Sequence, residues 1–187
     1  MTSTTPRRAA VIHGYGATPA DHWFGWLADR LVAVGVPTTV PALPTPESPE
    51  PLPWQQRVAA TVGVPDEGSV VVAHSLGCVT VLRHLAALPG AWRLGTLVLV
   101  AGFIDPVPGF PGLDAFVDGG IDLAPVRRYA DRLVVLRSDD DPIVPTGHTD
   151  RLAGELGIAA RVVPGAGHFL AEEGVRRLPE ALAAVLD

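Results

Sequence analysis

Residues 69–78 read Ser-Val-Val-Val-Ala-His-Ser-Leu-Gly-Cys, and no other stretch restricts the fold as much. A valine run suited to a buried strand stops at Ser75, and a helix-compatible segment, residues 79–88, follows at once. Strand, serine at a sharp turn, helix is the layout of a nucleophile elbow. Such a turn strains the serine backbone and leaves room only for small side chains two residues before and after it. Ala73 and Gly77 meet that need. The geometry would push the Ser75 hydroxyl into solvent beside the first N–H groups of a helix, where negative charge on oxygen is favoured. Ala73 stands where the G-x-S-x-G pattern has glycine, a departure of one methyl group. A small-x-Ser-x-Gly pentapeptide is common by chance, so its weight depends on what the rest of the chain supplies.

The chain's 187 residues fit one domain, residues 1–187, large enough to bury a core without disulfides or metal. A hydrophobic fraction of 48% and a mean hydropathy of +0.29 exclude disorder over most of its length. The net charge of −6 and pI near 5.4 argue against a nucleic-acid or anionic-membrane partner. Cys78 is the single cysteine, so no internal disulfide forms, and it reads as a small buried hydrophobe. Residues 1–8 are polar and lack the apolar centre of a secretory signal. No apolar run approaches the roughly 18 residues that span a bilayer. These features predict a soluble cytoplasmic protein; a monomer is the default, with a small homo-oligomer also open.

Short apolar runs alternate with helix-period segments from end to end. Strands are expected at residues 9–13, 38–41, 69–73, 96–101, 132–137 and 160–163, and helices at 22–34, 54–62, 76–88, 146–156 and 175–186. Most of the strand segments are unbroken Val, Leu and Ile runs, as in parallel strands covered on both faces. The alternation implies right-handed crossovers and a doubly wound α/β sheet of six mostly parallel strands, with helices on both faces. Two segments break the rhythm. Residues 41–53 hold six prolines and read as a loop. Residues 102–130 are rich in Pro, Gly and Asp with scattered anchors at Phe103, Phe110 and Phe116, which fits either a small substrate-contacting lid or an inert surface excursion.

A nucleophilic serine needs a base, and the base needs an orienting carboxylate. The strand at 132–137 is followed by Ser138-Asp139-Asp140-Asp141-Pro142, three successive aspartates that packing does not explain. Pro142 disfavours helical geometry at Asp141 and keeps it extended. The strand at 160–163 is followed by Pro164-Gly165-Ala166-Gly167-His168-Phe169, whose glycines permit a close approach of His168 to the serine. Serine, then aspartate, then histidine is the chain order of α/β-hydrolases. The first strand ends in His13-Gly14-Tyr15-Gly16, where such enzymes take one oxyanion donor; the other is the N–H after the nucleophile. The donors are assigned to Tyr15 and Leu76. Taken alone, the glycines at 14 and 16 fit a generic strand-to-helix turn equally well.

His13-Gly14-Tyr15-Gly16, Asp21-His22-Trp23-Phe24-Gly25-Trp26-Leu27, Ala73-His74-Ser75-Leu76-Gly77, Asp140-Asp141-Pro142 and Gly167-His168-Phe169 together resemble one group of small α/β-hydrolases. These are the retinoblastoma-binding-protein-9/YdeN-like serine hydrolases. The likeness spans essentially the whole chain, and the His-Trp-Phe-Gly-Trp segment is its most group-specific part. It implies a minimal α/β-hydrolase fold without a large cap domain. It further implies a catalytic triad of Ser75, His168 and the aspartate directly before proline, Asp141, with Asp139 and Asp140 as alternatives. The expected chemistry is cofactor-free cleavage of small acyl substrates, of carboxylesterase type, with thioesters and amides also open. A protein-binding or regulatory member with little turnover is the other reading.

The remaining histidines, His13, His22, His74, His84 and His148, show no metal-ligand spacing, so no metal is expected. His74 is expected to line the elbow or to hydrogen-bond locally. Trp23 and Trp26 are expected in core packing; Trp54 fits either packing or substrate contact. No dinucleotide or Walker A fingerprint is present.

Overall fold

A computed structural model describes residues 7–187; of the N-terminal segment read above, residues 1–6 lie outside the described residues. Six strands form one sheet: β1 (Arg8–Ile12), β2 (Thr38–Thr39), β3 (Ser69–His74), β4 (Thr96–Val100), β5 (Leu133–Ser138) and β6 (Arg161–Val163). Their order is β2-β1-β3-β4-β5-β6, and every neighbouring pair is parallel. The chain runs outward in one direction from β1 to β2 and in the other from β3 onward. The crevice between the C-terminal ends of β1 and β3 is therefore a topological switch point, where open α/β sheets bind ligands.

Strand periodicity sorts the core into two layers. Ile12, Val71, Ala73, Leu97, Leu99 and Val135 face α2 (Pro51–Val62), α3 (Leu76–Ala87) and α6 (Thr146–Glu155). Val11, Val70, Val72, Val98, Val100 and Val134 face α1 (Phe24–Ala33) and α7 (Pro179–Leu186). Helix α1 shows how the sequence makes this layer. Phe24, Leu27 and Leu31, at i, i+3 and i+7, form one apolar stripe and are fully buried.

Prolines move two helix starts away from the expected positions. Helix α2 begins at Pro51 and not at Trp54, because a proline lacks only an N–H that the first turn leaves unpaired anyway. The proline-rich loop accordingly ends at Glu50. Helix α7 begins at Pro179 and not at Val175. Pro179 inside a longer helix would clash with the carbonyl one turn back, and Gly174, at φ 89°, closes a separate 3-10 turn over Ala171–Glu173.

Residues 102–130 are not an inert surface excursion: they pack onto the core, and Phe103, Val107, Phe110 and Leu113 line the hollow beside Ser75. They form a 3-10 turn (Pro111–Leu113), α4 (Asp114–Val117) and α5 (Ala124–Tyr129). Phe103, Phe116 and Val126 are buried against α2 and α3, with Trp54 edge-on to Phe116 at 5.6 Å between ring centroids. The Arg83 guanidinium on α3 donates to the carbonyls of Phe116 and Asp118. The segment is a packed wall over the C-terminal end of the sheet, and among the described residues no cap domain stands above it.

Candidate active site

Ser75 sits between β3 and α3 at φ 52°, ψ −123°, a backbone conformation that costs a non-glycine residue roughly 1–3 kcal/mol. Its surroundings impose that conformation. The Ser75 N–H donates to the Val100 carbonyl at 2.9 Å, tying the turn to β4. A Cβ on Gly77 would lie 2.4 Å from the His13 carbonyl oxygen and 2.8 Å from that of Ile12, so β1 can approach only a glycine here. A Cβ on Gly14 would lie 2.9 Å from the Ser75 Cβ, which brings the loop after β1 against the serine. The Ala73 methyl is accommodated fully buried in the same apolar layer as Ile12 and Leu99.

The loops after β5 and β6 bring two further side chains to this turn. Ser75 Oγ lies 2.9 Å from His168 Nε2, and His168 Nδ1 lies 2.8 Å from Asp141 Oδ2. The side chains of His168 and Asp141 are each 4% exposed, so water does not compete for their contact. Asp141 is fixed in its turn: its Oδ1 accepts the N–H groups of Ile143 at 2.8 Å and Val144 at 2.9 Å. Of the three aspartates, Asp141 alone meets the imidazole. The Asp139 and Asp140 carboxylates accept the N–H groups of Gly165 and Gly167, each at 2.8 Å. The Ser138 hydroxyl and the Gly167 N–H hold the Asp140 carboxyl below its ordinary range.

Leu76 opens α3, so its N–H has no carbonyl one turn back within the helix. Tyr15 lies in the loop that Gly14 seats against Ser75, and it lines the same cavity as the serine. His13 organises that loop. Its Nδ1–H donates to the Gly14 carbonyl at 2.9 Å, and its Nε2 accepts the Leu43 N–H at 3.0 Å. Burial lowers its pKa, in keeping with this neutral form.

His74 does more than line the elbow, and its bond is not local. Its Nε2–H reaches the carbonyl of His168 at 2.9 Å, and the two rings stand 5.0 Å apart. Burial, followed by the nearby His168, pushes its pKa well below the ordinary value, and its Nδ1 has no hydrogen-bond partner among the described residues. Cys78 is fully buried, with its thiol pKa raised by desolvation. Trp23 is a core residue, edge-on to Phe24 at 4.8 Å, and Trp54 packs while its indole N–H donates to the Pro44 carbonyl at 2.7 Å. Glu173 was not legible as a site residue: its Oε2 accepts the N–H groups of His168 at 2.7 Å and Leu170 at 3.0 Å. The one local signal is a Glu in the third position of a short helical turn, half of a capping box.

A cavity of about 90 Å³ opens beside Ser75, walled by Tyr15, Phe103, Val107, Phe110, Leu113 and Val144. Tyr15 and Phe110 meet edge-on at its rim, 6.1 Å between centroids. A larger hollow of about 310 Å³, along Ala9, Thr38 and Val70, lies away from Ser75, toward the N-terminal ends of the strands. Among the described residues, no three His, Cys, Asp or Glu side chains are grouped to hold a metal ion, and no helix is long and apolar enough to cross a membrane.

A parallel sheet of this order, carrying a serine on a strained strand-to-helix turn at its switch point, defines an α/β-hydrolase. Comparison with known proteins narrows the class. Residues 9–187 match the family model described as serine hydrolase, and the chain belongs to that family. It is 36% identical over 173 residues to YdeN of Bacillus subtilis (strain 168), covering 92% of this chain and 91% of the relative. The crystal structure of the ydeN gene product superposes with a TM-score of 0.92 at 35% identity, covering 96% of each chain. A YdeN-like hydrolase from Pectobacterium atrosepticum shares the fold at TM-score 0.70 and 16% identity, over 95% of this chain and 88% of that one.

Proposed function

We propose that this chain is a cofactor-free serine esterase acting on small, uncharged acyl compounds through an acyl-enzyme, with Ser75, His168 and Asp141 as its catalytic triad. The observation that carries the reading is the continuous line of hydrogen bonds from Ser75 Oγ through His168 to Asp141, at 2.9 and 2.8 Å. His168 Nε2 takes the Ser75 proton as Oγ attacks the acyl carbonyl. Asp141 keeps the other ring proton on Nδ1 and stabilises the imidazolium that forms. The N–H groups of Leu76 and Tyr15 receive the oxyanion, each contributing about 3–4 kcal/mol to the transition state. His168 then protonates the leaving alcohol and activates the water that releases the acid.

The cavity supports the substrate class. Its volume of about 90 Å³ and its aliphatic and aromatic walls suit an apolar group and offer no cation for a charged one. The proposed partner is a small-molecule acyl donor, and the proposal takes the protein as a monomer in the cytoplasm.

A p-nitrophenyl ester series from two to eight acyl carbons tests the reading. Turnover should begin with a burst of one nitrophenol per chain, peak at two to four carbons, and fall by about tenfold or more at eight, where the chain no longer fits. Folded protein that hydrolyses none of the esters would overturn the assignment. Preference for a thioester or anilide of the same acyl group would move it to that leaving group.

A further inference from the structure

The loop carrying His168 is left-handed at every other residue: φ is 66° at Gly165, 54° at Gly167 and 62° at Phe169. Alternation of this kind turns successive N–H groups toward one side and creates concavities that bind anions. Here carboxylates of the chain itself fill them. Gly165 donates to Asp139, Gly167 to Asp140, and both His168 and Leu170 to the single oxygen Oε2 of Glu173, all at 2.7 to 3.0 Å. Ala166 donates to the Ser138 hydroxyl at 3.1 Å, and the His168 carbonyl accepts His74 Nε2–H at 2.9 Å. His168 is thereby held at both ends of its own backbone. Space confirms that the seat is built for Glu173: a Cβ on Gly167 would lie 2.4 Å from the Glu173 carboxyl carbon.

We propose that Glu173, seconded by Asp140, is a positioning residue that delivers the His168 imidazole to Ser75. This inference rests on the triad reading above. The three side chains of the triad are set by three different devices: Ser75 by backbone strain, Asp141 by two amides, and His168 by carboxylates outside the triad. Without Glu173 the N–H groups of 168 and 170 turn to water, and the loop keeps its connection to β6 and the His74 bond but loses the anchor on the His168 backbone N–H. A displacement of about 1 Å at a reacting group can cost on the order of 100-fold in rate. Because Glu173 is exposed and belongs to no part of the core, its removal leaves the fold standing.

The test compares Glu173→Ala and Glu173→Gln with wild type in two independent readouts. The first is the downfield proton resonance of His168 Nδ1–H, hydrogen-bonded to Asp141, in ¹⁵N-labelled protein. It should be sharp in wild type and Glu173→Gln, which keeps an acceptor oxygen, and broadened or lost by exchange in Glu173→Ala at an unchanged thermal midpoint. The second is ester turnover per titrated active site, where Glu173→Ala should lose about 10- to 100-fold in kcat with KM within threefold, and Glu173→Gln should recover most of it. A Glu173→Ala protein with a wild-type resonance, or with kcat within twofold of wild type, overturns the proposal. A loss of resonance in Glu173→Ala beside a wild type without turnover would uphold the positioning role and bring down the hydrolase reading instead.

Discussion

The elbow and the histidine loop follow the C-terminal ends of β3 and β6 and are built in opposite ways. Ser75 is held by backbone: the strand and helix on either side of it, the Val100 carbonyl that takes its N–H, and β1 pressed against Gly77. His168 is held through side chains: the Asp139 and Asp140 carboxylates on the β5 loop, Glu173 a few residues further on, and His74 from 94 residues earlier. One is backbone against backbone and cannot yield. The other is backbone against side chains and can be loosened one hydrogen bond at a time.

The largest effect should separate the three aspartates. Asp141→Asn removes the partner that fixes the His168 tautomer and should lower kcat by roughly 10⁴-fold. Asp139→Asn keeps an acceptor for the Gly165 N–H and should stay within threefold, measured as ester turnover per active site. Similar losses for both would mean that the run acts as one charged cluster and that the contact at 2.8 Å does not select the acid.

Introducing one methyl in each region sharpens the contrast. Gly77→Ala drives a Cβ to 2.4 Å from the His13 carbonyl, with backbone on both sides, and should cost about 3 kcal/mol of stability or more. Gly167→Ala meets only the end of the Glu173 side chain, which can swing aside. Its backbone penalty is about 1–2 kcal/mol for left-handed alanine, and its main consequence should be lost kcat. Denaturant unfolding with parallel turnover measurements checks both; equal stability losses would erase the distinction.

A smaller effect concerns pH. His74 is buried neutral with a lowered pKa, whereas the unfolded chain protonates it near the ordinary value of 6.5. Below that value the unfolded state binds a proton that the native state refuses. Stability should then be flat above pH 6.5 and fall by about 1.4 kcal/mol per pH unit below it from this group alone, until the native His74 itself titrates. His13, His22 and His84, also lowered by burial, act in the same direction. A thermal midpoint that rises on acidification from pH 6.5 to 5.5 would contradict this.

The two regions also differ in how far they can be read from sequence. The elbow was legible because its strand, small-x-Ser-x-Gly turn and helix fall in one short stretch, although the Val100 and His13 carbonyls that fix it do not, and the strand pattern was legible because buried parallel strands need unbroken apolar runs. Asp141 could not be separated from Asp139 and Asp140 by composition. The geometry distinguishes it through the turn that Asp-Pro sets, in which Oδ1 caps Ile143 and Val144 and leaves Oδ2 free for the imidazole. His74 acts across 94 residues, a distance that no spacing encodes, and Glu173, close to His168 in the chain, is marked only by half of a capping box. The wall at residues 102–130 was obscured for a related reason: its short helices carry too few turns to show a period, and burial of Phe103 and Phe116 holds them in place.

The central claim is that the strained serine is a nucleophile activated by His168, and an active-site-directed fluorophosphonate addresses it directly. Wild-type protein should be labelled once, with the adduct mapped by mass spectrometry to Ser75, and Ser75→Ala should not be labelled at all. Folded wild type that stays unmodified, or an adduct that maps elsewhere, would contradict the account.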